Sequence, residues 1–453
     1  QQAALWGMQK IHAREAWDIS TGSREVVVAV VDTGVDYTHP DLSANMWRNP
    51  EEIAGNGVDD DHNGFIDDIY GANLLTKSGD PFDDNSHGTH VAGTIGATGN
   101  NSIGVVGVNW KVHVMGVKFL GANGGGTLFA GIQAIRYAVA QGAQVINASW
   151  GGSGFSQALY DEIAAAGEAG VLFVAAAGNN GLNSDEYPNY PAAYNLPNII
   201  SVAATDKDDN LAYFSNYGKV SVDLAAPGVS ILSTVPGATY SSYSGTSMAT
   251  PHVAGAAALV KAVFPELDHL NIKAKILSGG DMVSRIASKT VTGRRLSALG
   301  ALLSSASPGD EEPTEPSNAR ITSVKGPGGS KYIFRQAGFT LGLTGRPGEV
   351  VPLSMTLNVQ SSRGSARGKC TLGSAVVGPE GTAVVSSTMK LSGVFRQTRT
   401  AVFKSPANKM KAELKSQRNR AGGEAVSVAG DASVKQSLSR TCRAIKSTFI
   451  STY

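Results

Sequence analysis

Three segments carry residue types that together could break an acyl bond. VVVAVVDTGVDYTHPDL (26–42) holds a β-branched run that ends on the carboxylate Asp32. Open α/β sheets place their sites at the carboxyl ends of strands. NSHGTHVAGTIG (85–96) sets His87 at the head of a stretch whose Gly88, Ala92, Gly93 and Gly96 suit a helix packed close to its neighbour. YSGTSMATPHVAGAAALVKAVF (243–264) feeds Ser247 from a tight turn into a long apolar helix. Pro251 is expected in the first turn of that helix, where a missing N–H costs little. The amides and dipole of a helix N-terminus favour negative charge developing beside Ser247. A hydroxyl that attacks, an imidazole that takes its proton and a carboxylate that orients the imidazole make a nucleophilic set. Each residue also has a plainer reading: Asp32 as a turn cap, His87 as a satisfied core histidine, Ser247 as a helix N-cap. His252 reads as a structural helix residue. His87 and His90, three apart, would allow a metal pair, but the HExxH pattern is absent and no third ligand is near in sequence.

The elements that must position these residues alternate. Strands are expected at VVVAVVD (26–32), KVHVMGVKFL (111–120), QVINASW (144–150) and VLFVAAAGN (171–179). Helical spacing runs through LFAGIQAIRYAVAQG (128–142) and QALYDEIAAAGEAG (157–170), each ending on a glycine stop. Strand–helix alternation of this kind implies an α/β fold: a doubly wound, mostly parallel sheet with helices on both faces.

Charge divides the chain. Residues 1–307 carry 17 Lys+Arg against 28 Asp+Glu, and residues 308–453 carry 21 against 9. The acidic part, residues 1–304, is expected to be the catalytic domain. SASPGDEEPTEPS (305–317) lies in a Pro-, Ser- and acid-rich linker, 305–318. Residues 319–453 read as a smaller, basic, β-rich C-terminal domain, with 404–423 as a basic helix or solvated loop. Both cysteines, Cys370 and Cys442, fall there. In an oxidising compartment they could form a bridge. No apolar run reaches the 18 or so residues of a membrane span, and residues 1–20 lack the regions of a signal peptide.

Together, VVDTGVDYTHPDL, HGTHVAGTI and GTSMATPHVAG resemble the signatures of the subtilisin-like serine proteases, in that family's order Asp, His, Ser. The resemblance covers residues 2–300. It implies a secreted serine endopeptidase in which Ser247 attacks the scissile carbonyl, His87 shuttles the proton and Asp32 fixes the imidazole. Asn179 matches the family's oxyanion donor. LGANGGG (120–126) and NASWGG (147–152) match two edge strands that bracket an extended peptide, through Gly124, Gly125, Gly126, Ser149, Trp150 and Gly151. Backbone pairing reads no side chains, so specificity should be broad. Residues 175–178 and 149–151 would wall the primary pocket, with Asn189 on its floor. Met248, beside the nucleophile, implies sensitivity to oxidants.

Two structural Ca²⁺ sites are expected. DDDHNGFIDD (59–68) opens like an EF-hand loop, with Asp59, Asp61, Asn63, the Phe65 carbonyl and Asp67 as ligands and Ile66 pointing inward. Tyr70 stands where that loop would end on Glu. The family's second site would use Gln2, Asp41, Asn101 and the carbonyls of Gly99, Ile103 and Val105. The resemblance also implies polypeptide substrates, a propeptide removed during maturation and a monomer.

Other readings remain. DTG (32–34) also occurs in aspartic proteases, but their dyad needs two such segments and this chain has one. A non-catalytic binding protein is disfavoured because every triad position is filled. The basic domain could meet polyanions, but Tyr332, Phe334 and Phe339 form no RNA-binding pattern, and no nucleic-acid partner is expected.

Overall fold

The computed structural model describes residues 5–306 and, beyond them, the backbone of strand segments between residues 320 and 443. The chain divides into two compact units, Gln1–Glu311 and Glu312–Tyr453.

In the first unit two short helices, α1 (Trp6–Lys10) and α2 (Ala13–Trp17), precede β1 (Gly22–Asp32). Then follow β2 (Gly71–Asn73), α3 (His87–Gly96), β3 (Lys111–Lys118), α4 (Leu128–Ala140), β4 (Val145–Ala148), α5 (Gln157–Glu168) and β5 (Leu172–Ala176). The chain continues through β6 (Ile199–Thr205), β7 (Leu224–Pro227), the hairpin β8 (Ile231–Val235) and β9 (Thr239–Tyr243), α6 (Thr246–Val263) and α7 (His269–Gly279). It closes with β10 (Asp281–Met282), β11 (Arg294–Arg295) and α8 (Ala298–Leu303).

One sheet runs β10-β11-β7-β6-β5-β4-β1-β3-β2. Every ladder in it is parallel except β10 with β11. The chain leaves β1 for β3 on one side and then crosses to β4 on the other. Strand order therefore reverses at β1, which puts Asp32 at the switch point where such sheets bind ligands.

Alternation along β1 divides its side chains between two cores. Val28 and Val30 join the core of α3, α6 and α7, and Ala29 and Val31 join the core of α4 and α5. Helices on both faces require apolar side chains on both faces, which is why the strand reads as one continuous apolar run. The glycines read as helix stops do their work through left-handed φ: +81° at Gly142 and +87° at Gly170. The Gly142 and Ala143 amides bond back to the Val139 and Ala138 carbonyls, closing the last turn of α4. Gly170 and Val171 do the same for α5 through Gly167 and Ala166.

One local expectation changes. Helix α6 begins at Thr246, so Pro251 is its sixth residue and lies beyond the first turn. Proline has no amide hydrogen for the carbonyl four residues earlier, here that of Ser247. The Ser149 hydroxyl donates to that carbonyl instead, at 2.9 Å.

In the second unit the strand segments pair as two four-stranded sheets, one starting at Arg320–Lys325 and the other including Val350–Ser361 and Gly364–Val376. The side chains of Cys370 and Cys442, and most of 404–423, lie outside the described residues.

Close approach of α3 to β1 depends on Gly88. A Cβ there would stand 2.0 Å from the Gly34 carbonyl oxygen and 3.2 Å from Asp32 Cβ. Gly88→Ala is expected to cost about 1–3 kcal/mol by overpacking. Thermal unfolding of the variant against the parent checks this, and an unchanged melting temperature would contradict it.

Candidate active site

Asp32 ends β1 and is completely buried. A buried carboxylate needs donors. Its Oδ1 accepts from the Thr33 amide at 2.7 Å and from His87 Nδ1 at 2.7 Å. The second bond fixes the imidazole, leaving Nε2 for other partners. Thr33 links the same strand end to α3: its hydroxyl donates to Asp83 Oδ1 at 2.9 Å and accepts from the Gly88 amide at 2.8 Å.

Asp83, which sequence reading did not single out, holds the entry to α3. Its Oδ1 accepts from the amides of Asn85 and Ser86, and its Oδ2 accepts from the amide and hydroxyl of Thr89. An acid just ahead of a helix was the available signal.

His87 is 28% exposed on its side chain. Burial lowers its pKa, but the charge and hydrogen bond of Asp32, with help from Asp83, raise it to a net value above the ordinary 6.5. His90 is differently placed. Its Nε2 lies 2.9 Å from the Ile231 carbonyl and 3.1 Å from that of Ser241, and burial pushes its pKa down to about 4. His90 is thus committed to the β8–β9 hairpin and makes no metal pair with His87. His252 is buried in α6, with Nδ1 2.9 Å from the Met248 carbonyl and a pKa also near 4 because of burial.

Ser247 is the second residue of α6 and is not its cap, which is Gly245. Its hydroxyl donates to the Ser149 carbonyl at 3.0 Å. A hydroxyl carries one proton, so engaging His87 calls for that proton to leave the Ser149 carbonyl. Asn179 stands on the loop after β5. Its Oδ1 accepts from the amide of Thr246 at 2.8 Å and its hydroxyl at 3.0 Å. Those bonds assign the amide orientation and leave Nδ2 near the N-cap of α6, 3.6 Å from where a Gly245 Cβ would stand.

The loops after β4 and β5 approach each other around Asn189. Ser149 is buried, and Trp150 donates from Nε1 to the Val31 carbonyl and packs edge-on against Phe119. Trp150 thereby fastens the loop after β4 to β1. The Asn189 side chain lies between the loops: Cβ atoms on Gly151 and Gly178 would stand 2.6 and 3.1 Å from its Nδ2. Residues 120–126 make no ladder with a neighbouring strand. A turn joins the Gly121 amide to the Gly125 carbonyl, and Gly124, Gly125 and Gly126 are exposed beyond it.

The acidic loop between β1 and β2 differs in detail from its sequence reading. Carboxylate oxygens of Glu52, Asp61 and Asp68 lie within 4.8 Å of one another. Asn63 bridges two of them, donating to Asp61 and Asp68 at 2.8 Å. Asp59 caps the turn by accepting from the Asn63 and Gly64 amides. Asp67 faces away, accepting from the amides of Gly55, Asn56 and Gly57. Ile66 is 54% exposed and does not point inward. Phe65 packs edge-on against Tyr137. Glu52 and Asp68 went unnoticed because Glu52 lies outside the motif and Asp68 is one step past the position expected to ligate. Burial raises the pKa of Asp68. At Asp61 burial also raises it, but hydrogen bonds led by Asn49 and Gln141 bring it below the usual value.

The loop 99–105 wraps Asp41, which is fully buried. Asn101 Nδ2 donates to Asp41 at 2.6 Å and the Val105 amide does so at 2.9 Å. Ile103 follows on the exposed side, and Gly99 packs on Trp110. Gln2 lies outside the described residues.

A buried carboxylate bonded to an imidazole and a serine at a helix start, on one doubly wound sheet, are the parts a serine hydrolase of α/β type requires. The model of the subtilase family matches residues 23–291, and the chain belongs to that family. It is 41% identical over 289 residues to thermitase of Thermoactinomyces vulgaris, covering 64% of this chain and 92% of that one. It is 42% identical over 272 residues to subtilisin Savinase of Lederbergia lenta, covering 60% and 89%. A thermophilic serine proteinase of Bacillus sp. (strain AK1) matches at 43% over 259 residues, 57% of this chain and 58% of that one. The chain is a serine endopeptidase.

Histidine titration by NMR should separate the three imidazoles. His87 is expected to protonate with a midpoint above 6.5, and His90 and His252 to stay neutral down to about 4. Asp32→Asn should lower the His87 midpoint, and no change would contradict the assigned cause. The raised value also means that this pairing stabilises the fold fully below the unfolded-state pKa and fades as pH rises through the folded-state one.

Proposed function

We propose that this subtilase is a secreted enzyme of broad specificity that cleaves polypeptides through an acyl-enzyme intermediate. The observation that carries the reading is the His87–Asp32 bond of 2.7 Å, with Ser247 set at the start of α6. In the proposed reaction Ser247 Oγ rotates to His87, gives up its proton and bonds to the scissile carbonyl carbon. The resulting oxyanion takes hydrogen bonds from Asn179 Nδ2 and from the start of α6. His87 then returns the proton to the leaving amine, whose bond to carbon breaks. A water activated by the same imidazole releases the acyl group, and Asp32 stabilises the imidazolium throughout.

Residues 124–126 and 149–151 would pair with the acyl side of the peptide. The primary pocket floored by Asn189 would take the side chain next to the scissile bond. Pairing through the main chain supports broad specificity.

Calcium completes the reading. Converging carboxylates repel one another, and a hard cation that takes oxygen ligands relieves this. Glu52, Asp61 and Asp68 fit such an ion, with Asn63 and Asn49 beside them. At the second loop, Asp41, Asn101 and the carbonyls of Gly99, Ile103 and Val105 would serve, with the Asn101 amide turned to present Oδ1. A cysteine-free catalytic unit would gain stability from such ions in place of disulfides. Maturation from a propeptide-bearing precursor, action as a monomer and a soluble, β-rich role for residues 319–453 belong to the same reading. Among the described residues no helix is long and apolar enough to cross a membrane.

A serine-directed fluorophosphonate should label Ser247 alone, as read by mass spectrometry, and Ser247→Ala or heat-denatured protein should take no label. In the same series Asn179→Ala should lower kcat by about 10²–10³, the figure known for this donor in subtilisin itself. Labelling elsewhere, or an unchanged kcat, would overturn the assignments.

Chelation should lower the melting temperature, because a ligand at a hundred times its Kd adds about 2.7 kcal/mol to folding stability. Asp61→Asn should reduce the loss seen on chelation. Identical melting with and without chelator would remove both calcium sites.

A further inference from the structure

Lys118 closes β3 and is 3% exposed, an unusual setting for an ammonium group. Its Cα is the ladder partner of Asp32 across β1 and β3. Three acceptors surround Nζ: the Thr33 carbonyl at 2.6 Å, Asp84 Oδ1 at 2.6 Å and the Leu120 carbonyl at 3.0 Å. An ammonium has three protons, so this one is fully used. Its partners come from the segment after β1, the loop that delivers His87 and the start of residues 120–126.

The third partner matters most. Past Lys118 the chain has no ladder neighbour, yet its amides and carbonyls are those proposed to pair with substrate. Few bonds fix its position. The Phe119 and Leu120 amides donate to the Asp32 carbonyl, Asn85 Nδ2 donates to the Ala122 carbonyl, and Lys118 holds the carbonyl of Leu120. The Asp32–His87 pair, by contrast, is held by the Thr33 amide, which donates to Asp32, and by Asp83, which accepts from Thr33 on the strand side and Thr89 on the α3 side; none of these bonds involves Lys118.

We propose that Lys118 is a positioning residue for substrate binding: its buried ammonium holds residues 120–126 in register with the strand end that carries Asp32. This rests on the reading of Ser247 as nucleophile and of 120–126 as the peptide-pairing segment. A long peptide uses that segment, whereas a small ester or a phosphonylating agent does not, so the two classes of probe report on Lys118 differently.

The test compares the parent, Lys118→Met and Lys118→Arg as full chains. Three readouts are taken: fluorophosphonate labelling rate, hydrolysis of a single amino-acid ester, and hydrolysis of a hexapeptide amide. In Lys118→Met, kcat/KM for the hexapeptide should fall by about 10-fold, chiefly through KM, the size of losing one or two main-chain hydrogen bonds to the substrate. Labelling and ester hydrolysis should change by less than about 3-fold, because uniform binding is what is lost. Lys118→Arg should recover part of the hexapeptide activity. If Lys118→Met does not fold, Asp84→Ala removes one of the three acceptors at a half-exposed position. It should raise KM for the hexapeptide, by about 3-fold, without affecting the ester. Equal losses on all three probes, or losses that follow the unfolded fraction, would overturn the role of Lys118. A parent that neither labels nor cleaves would overturn the reading of Ser247 and this inference with it.

Discussion

A carboxylate sealed from water at the end of β1 is the constraint around which the rest is arranged. Asp32 is fully buried, and a charge there is tolerable only with donors aimed at it. The Thr33 amide supplies one and His87 the other. The imidazole can come that close only because α3 packs against the strand end without a side chain at Gly88. Burial of the acid, smallness of the neighbouring glycine and elevation of the His87 pKa are consequences of one contact. Parallel pairing of β1 with both β3 and β4 then brings the loops after those strands to the same edge.

Helix α6 meets that edge on its own terms. Pro251 leaves the Ser247 carbonyl without its helical partner, and Ser149 from the β4 loop occupies it. Ser247 returns a bond to the Ser149 carbonyl. The start of the helix and the loop after β4 are therefore held together by a reciprocal pair. Thr246 adds a second tie by binding Asn179 through its amide and hydroxyl, which decides where the Asn179 amide points. A break in helical bonding, usually a cost, here connects two elements distant in sequence.

The acidic loops follow a different logic. The Asp32 site places one carboxylate against an imidazole, whereas the loop after β1 places three carboxylates against each other. Amides of Asn49 and Asn63 moderate that repulsion, and Lys118 plays a comparable part for Asp84 beside the active centre. In a unit with an excess of acid, such local compensation decides which loops hold their shape.

The sequence by itself determined the strand–helix alternation and the Asp–His–Ser order, because these rest on local periodicity and residue type. β1, α3 and α6 could be read from apolar runs and small-residue spacing, and Gly142 and Gly170 from the left-handed turns only glycine adopts cheaply. Tertiary structure alone decided which acids converge. Asp67 and Asp68 are adjacent and chemically alike, and only the path of the loop turns Asp67 to the amides of residues 55–57 and Asp68 to Asp61. Glu52 joins them across a turn that no motif spans. Pro251 and Lys118 were similarly out of reach, since Ser149, Thr33 and Asp84 lie on loops far along the chain from them, and a hydrogen bond between distant segments leaves no periodic trace in the sequence.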